Sequence, residues 1–188
     1  KPIVASFGTV AASGGYYAAA PATKIMASSG SITGSIGVKA EYANFHQLME
    51  KVGVKPVIIT SGKMKAAGSP FAELTPEQRE YLTALIMDMH NQFVDDVASA
   101  RKLDREQVEK IADGRAITGR EAKELGLVDR LGGFEDSVTV LKALCNIEGD
   151  VKVIEGPEEE KPLLKEILGY LGIVPEGSAT GDGLIFSY

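Results

Sequence analysis

One cysteine, Cys145, occurs in 188 residues, so no internal disulfide forms and a disulfide-stapled scaffold is excluded, though the compartment is not thereby fixed. In VTVLKALCNI it falls at helical spacing, which predicts a buried core thiol rather than a nucleophile. Positive charge is scarce too. The net charge is −6 and no basic stripe is visible, which argues against a nucleic-acid partner. No apolar run reaches the roughly 18 residues of a membrane span, and nothing reads as a signal peptide. Histidine is confined to His46 and His90. The chain also lacks an initiating Met. Lys1 enters a β-like segment with no cap or turn before it, so more of the same fold is expected upstream.

What is present suits a soluble globular chain. It is 44% hydrophobic and 24% charged, and its mean hydropathy is near zero, enough for a real core. The length fits one domain with an appendage, and no internal repeat is visible. IVASF (3–7) reads as a buried strand, SGGYYAAA (13–20) as a helix limited by Pro21, and KIMAS (24–28) as a second strand. GSITGSIGV (30–38) reads as strand edge or loop. Residues 42–51 are predicted as an amphipathic helix with Phe45, Leu48, Met49 and Val52 on one face, stopped at Gly53. PVIIT (56–60) reads as a strand buried on both faces of a parallel sheet. Strands alternating with helices indicate an α/β fold.

The later chain is helical and its caps are legible. Thr75-Pro76-Glu77-Gln78 is a capping box opening a helix to about Lys102. Asp104 to Gln107 and Thr118 to Glu121 repeat that logic, Gly126 ends the helix after Thr118, and residues 134–144 form another helix. EGPEEEKP (155–162) is a charged linker. LLKEILGYLGIV beyond it suits a short docked helix, EGSATGDG a mobile stretch, and GLIFSY an apolar terminus.

The stretch AASGGYYAAA (11–20) sets one hydroxyl, Ser13, among the smallest side chains, just past a strand. A nucleophilic serine needs exposure at a sharp strand-to-helix junction, where helix-start N–H groups stabilise an oxyanion. The same residues also suit a plain tight turn, and the motif is not the G-x-S-x-G of α/β-hydrolases. As for a base, His46 and His90 lie in amphipathic helices and read as packing or surface residues. A lysine base must be neutral, which burial among apolar or hydroxyl neighbours favours. Lys63 and Lys65, in TSGKMKAAGSP, stand apart from lysines in charged company such as Lys102 and Lys110. These features alone leave Lys63 and Lys65 both open.

The motifs KPIVASFGTVAASGGYYAAA, SITGSIGV, SGKMKAAGSP and IADGRAITGREAKELGLVDRLGG together resemble the signal peptide peptidase A family, Ser-Lys membrane peptidases, over about residues 1–145. The resemblance implies a crotonase-like (ClpP-like) ββα superhelix with a helical arm. It makes 1–148 a peptidase catalytic domain lacking its first strands, and 149–188 a linker and C-terminal extension. The nucleophile maps to Ser13, its oxyanion donor to the Gly14 N–H, the base to Lys65 rather than Lys63, and the lysine-orienting hydroxyl to Ser35. Gly34, Ile36 and Gly37 of T-G-S-I-G would bind substrate as an added strand. The implied substrates are apolar peptides, chiefly signal-peptide remnants, with no cofactor and no metal. The implied setting is a cell membrane, with the catalytic domain on the extracytoplasmic face, held by an upstream anchor, and a homo-oligomer whose sites are shared between subunits. Two other readings remain: an acyl-CoA hydratase or isomerase, disfavoured because residues 9–20 hold no carboxylate, and an inactive peptide-binding scaffold.

Overall fold

The computed structural model describes residues 1–154, 156 and 185–187, the last three as backbone only. The predicted helix in LLKEILGYLGIV and the stretch EGSATGDG lie outside the described residues, as does most of the linker. Contacts divide the chain into two compact units, Lys1–Ile147 with Gly183–Tyr188, and Glu148–Asp182. Residues 148–154 and 156 of the second unit contain no helix or strand.

The first unit is α/β. β1 (Val4–Phe7), β2 (Lys24–Ala27) and β6 (Arg130–Leu131) form a parallel sheet in the order β1-β2-β6. α1 (Gly14–Ala19) crosses from β1 to β2, as a parallel pair requires. β3 (Ile32–Gly34) pairs antiparallel with β5 (Ala116–Thr118), and β4 (Lys39–Glu41) pairs antiparallel with β7 (Ile185–Ser187). β7 falls within the predicted apolar terminus. Neither β5 nor β6 is visible in the sequence pattern, because each is too short to show a period.

Helices α2 (His46–Lys51), α3 (Pro76–Arg101), α4 (Arg105–Glu109), α5 (Gly119–Glu124) and α6 (Phe134–Leu144) complete the unit. The Thr75 box is real: Thr75 Oγ1 accepts from the Gln78 N–H at 3.2 Å and Gln78 Oε1 accepts from the Thr75 N–H at 3.2 Å. At α5 only half of such a box forms, Thr118 Oγ1 accepting the Glu121 N–H at 3.2 Å, and the Asp104 side chain makes no cap bond at α4. The core gathers Phe7, Tyr16 and Ile25 against Phe93, Val97 and Leu127.

Three expectations are corrected. PVIIT is not a strand, and Val57 and Ile59 are 83% and 91% exposed, because no described strand lies beside it. The predicted helix at 42–51 begins only at His46, where Asn44 Oδ1 accepts the His46 N–H, and none of its residues is buried. Cys145 is exposed: it caps the C-terminus of α6, beyond the turn whose Ser137 packs on β1.

Candidate active site

Ser13 sits at the N-cap of α1 with φ 53° and ψ −121°, a conformation that non-glycine residues adopt only under constraint. Such strain costs on the order of 1–3 kcal/mol and persists only where surrounding bonds over-determine the backbone. Those bonds are on both sides. The Ser13 N–H donates to the Gly34 carbonyl and the Tyr17 N–H donates to the Ser13 carbonyl, each at 2.8 Å. Ala11 and Ala12 are small enough for the chain to turn here, and the Gly15 N–H closes the turn on the Ala12 carbonyl at 3.0 Å. The Gly14 N–H has no acceptor among the described residues.

Tyr16 anchors the helix from behind. It is fully buried, its hydroxyl donates to the Leu127 carbonyl at 3.0 Å, and its ring meets Phe7 edge-on. Burial pushes the Tyr16 phenol pKa up, with Arg101 opposing and Asp129 adding to the shift. Asp129 is held by the Ile25 N–H at 2.8 Å, by Lys24 at 2.9 Å and by Arg101. Burial alone would raise its pKa. The bonds from Lys24, Ile25 and Arg101 outweigh that, and its carboxyl lies below the usual value.

T-G-S-I-G runs beside Ser13. Gly34 is buried at φ 70°, and a Cβ there would stand 2.9 Å from Ile117 Cγ1, so this position requires glycine. Ser35 shares the unusual backbone, at φ 52°, and its N–H donates to the Arg115 carbonyl at 2.8 Å. Ile36 is buried and its carbonyl accepts from the Gly114 N–H at 3.0 Å. A Cβ on Gly37 would lie 3.0 Å from Gly114 Cα. These bonds consume part of the edge predicted to receive substrate. They leave the Ile36 N–H and the Gly37 main chain without partners among the described residues. Arg115, unmarked by the sequence pattern, forks onto Asp113 beside this segment, and its hydrogen bonds hold the Asp113 carboxyl down at about 2.

The lysines separate. Lys63 Nζ donates to Glu77 Oε1 at 3.1 Å. Lys65 lies in a run of tight turns, its N–H on the Gly62 carbonyl at 3.0 Å. Its side chain is exposed and has no hydrogen-bond or ion-pair partner among the described residues, Ser13 included. The chain by itself therefore brings Ser13, Gly14, Gly34 and Ser35 together and does not bond Lys65 to them. His46 Nε2 stands 3.7 Å from Glu50 Oε1, and neither His46 nor His90 bonds to Ser13. No described cluster of His, Cys, Asp and Glu is arranged to hold a metal.

Residues 1–148 match the model of the family described as Peptidase family S49. A candidate protease of Synechocystis is 47% identical over 89% of this chain and 60% of its own length. A candidate protease of Methanocaldococcus jannaschii is 41% identical over 90% of this chain and 55% of its own. The chloroplastic serine protease SPPA of Arabidopsis thaliana is 36% identical over 99% of this chain and 30% of its own. The chain thus spans roughly half the length, or less, of these curated relatives. Among solved structures, an enoyl-CoA hydratase/isomerase family protein from Hyphomonas neptunium overlaps 92% of this chain and 53% of its own. At a TM-score of 0.40 and 17% identity, that likeness carries no argument.

Proposed function

The chain belongs to peptidase family S49, and from that premise we propose that it is the catalytic part of a serine endopeptidase using a Ser13–Lys65 dyad. The observation that carries the proposal is the constrained backbone of Ser13, which presents its hydroxyl at a strand–helix junction next to a Gly14 N–H that has no acceptor among the described residues. In this reaction Ser13 Oγ attacks the scissile carbonyl carbon while neutral Lys65 Nζ takes its proton. The carbonyl oxygen becomes an oxyanion against the Gly14 N–H. As the tetrahedral species collapses, the Lys65 ammonium protonates the departing amine and an acyl ester remains on Ser13. Water, deprotonated by Lys65, then cleaves that ester, and the proton returns to Ser13.

A neutral lysine needs cover, and Lys65 has none among the described residues. A second subunit supplies it, so the dyad forms across a homo-oligomer boundary, with Ser35 orienting the amine. Exposed Val57 and Ile59, eight and six residues before Lys65, support that reading, since apolar surface of this kind marks an interface. Lys63, already paired with Glu77, is the weaker candidate.

Substrate enters as an extended peptide along the Ile36–Gly37 main chain. With pockets rather than charges to bind it, the class is apolar peptide, including signal-peptide remnants. The surrounding architecture is a crotonase-like superhelix with α3 as its helical arm. The setting is a membrane, with the catalytic domain on its extracytoplasmic face; no described helix is long and apolar enough to cross one. The test is labelling of the full-length protein by a fluorophosphonate probe. Modification of Ser13, abolished in Ser13→Ala, supports the reading. Labelling elsewhere, or undiminished peptide hydrolysis by Ser13→Ala, removes it.

A further inference from the structure

The segment between β1 and Ser13 carries the nucleophile but belongs to no strand. It lies parallel to β3, bridged at Val10 and Ile32. Three main-chain bonds hold it there: the Ile32 N–H to the Thr9 carbonyl at 2.8 Å, the Ala11 N–H to the Ile32 carbonyl at 2.9 Å, and the Ser13 N–H to the Gly34 carbonyl at 2.8 Å. A regular parallel ladder would place one more rung between the last two, from the Gly34 N–H to the Ala11 carbonyl. That rung is missing. In its place Thr33 Oγ1 donates to the Ala11 carbonyl at 2.7 Å.

Thr33 is fully buried, and buried hydroxyls are retained where a main-chain group would otherwise go unpaired. The other end of the segment is held in the same manner. Buried Ser31 donates through Oγ to the Gly8 carbonyl at 2.6 Å. Of the buried polar side chains described, Ser31, Thr33 and Ser137, two are thus spent on this one segment. The side-chain rung matters most at Ala11, because the next rung belongs to Ser13 itself. It lets Gly34 and Ser35 leave regular strand geometry, both at positive φ, while Ser13 stays bonded to Gly34.

We propose that Thr33 is a positioning residue for the peptidase reaction, its hydroxyl standing in for the missing Gly34–Ala11 rung and thereby fixing the Ser13 nucleophile and the Gly14 N–H relative to Ser35. The proposal rests on Ser13 being the nucleophile. Small displacements of reacting groups cost up to about 100-fold in rate. Thr33→Val keeps the shape and loses the donor, Thr33→Ala loses the donor without adding bulk, and Thr33→Ser keeps the donor.

The experiment measures kcat and KM for a fluorogenic apolar peptide, together with the rate of fluorophosphonate labelling of Ser13, in the intact protein. Thr33→Val and Thr33→Ala should lower kcat and the labelling rate by about 10- to 100-fold, with KM within about twofold of the parent. Thr33→Ser should restore both to within about threefold. If Thr33→Val does not fold, the Ser and Ala variants decide alone. Equal rates in Ser and Ala, or a Val variant with the parent's kcat, overturn the role of the hydroxyl. Ser13→Ala is the control: if it still hydrolyses the peptide, the nucleophile assignment fails and the proposal falls with it. If only the Thr33 variants are silent, the nucleophile stands and Thr33 does not position it.

Discussion

From Ile3 to Val38 the chain is held by paired main chain and buried side chains, and Ser13 is bonded on both sides at a backbone geometry it would not adopt alone. From Tyr42 to Glu73, the stretch that carries Lys65, only Gly68 is buried, α2 buries nothing, and Val57 and Ile59 face solvent. Yet the second stretch is nearly as apolar in sequence as the first. One half of the proposed dyad is assembled by local and long-range bonds within the chain. The other half carries the composition of a buried region but is left uncovered among the described residues. A difference of that kind teaches that an apolar run records a need for cover, not the identity of what covers it.

The largest expected effects fall on both halves equally, because a dyad fails when either member is lost. Ser13→Ala and Lys65→Ala should each lower kcat/KM for peptide hydrolysis by at least about 1,000-fold while the circular dichroism spectrum is retained. Near-normal turnover in Lys65→Ala, with loss in Lys63→Ala, would move the base.

Stability should separate the halves. Phe93→Ala, in the core that backs α1, should lower unfolding free energy by about 3–5 kcal/mol. In the dissociated subunit Ile59→Ala should change it by less than about 0.5 kcal/mol. The same Ile59→Ala should weaken assembly measured by sedimentation. A large loss of monomer stability from Ile59→Ala would show that this chain covers the segment itself.

Acid should weaken the nucleophile half first. The folded pKa of Asp129 is depressed, so its contribution is fully present above the unfolded carboxylate value of about 3.9 and is lost as pH falls through the lower folded value. Denaturant titrations from pH 6 downward should show that loss, and Asp129→Asn should flatten it at a cost on the order of 2 kcal/mol at neutral pH. An unchanged acid limb in Asp129→Asn would assign the effect elsewhere. Smallest of all, replacing His46 and His90 together by Gln should leave peptide turnover within about twofold, since neither bonds to Ser13. Loss of turnover without unfolding would restore a histidine base.

Much of the first half was legible in the sequence. The strand before Ser13 and the short helix after it leave local signatures, as does the Thr75 capping box outside this half, because each depends on a few neighbouring residues. The demand for glycine at Gly34 comes from Ile117, distant in the chain, and left none. β5 and β6 left none, being set by pairing with distant strands. The Thr33 and Ser31 hydroxyls were equally silent, since a buried donor is recognised only by the carbonyl it meets. PVIIT and Cys145 misled for one reason: hydrophobic spacing says nothing of whether the neighbouring surface exists within the chain.

The account stands or falls on whether a site is shared between subunits. Ser13→Ala and Lys65→Ala proteins, each inactive, are mixed in equal amounts, dissociated, reassembled and assayed for peptide hydrolysis. If Ser13 of one subunit works with Lys65 of the next, random reassembly leaves about a quarter of the sites intact, and activity returns toward about a quarter of the parent's. No recovery from oligomers verified as mixed would mean that each subunit closes Lys65 onto its own Ser13, contradicting the division of labour inferred from these two halves.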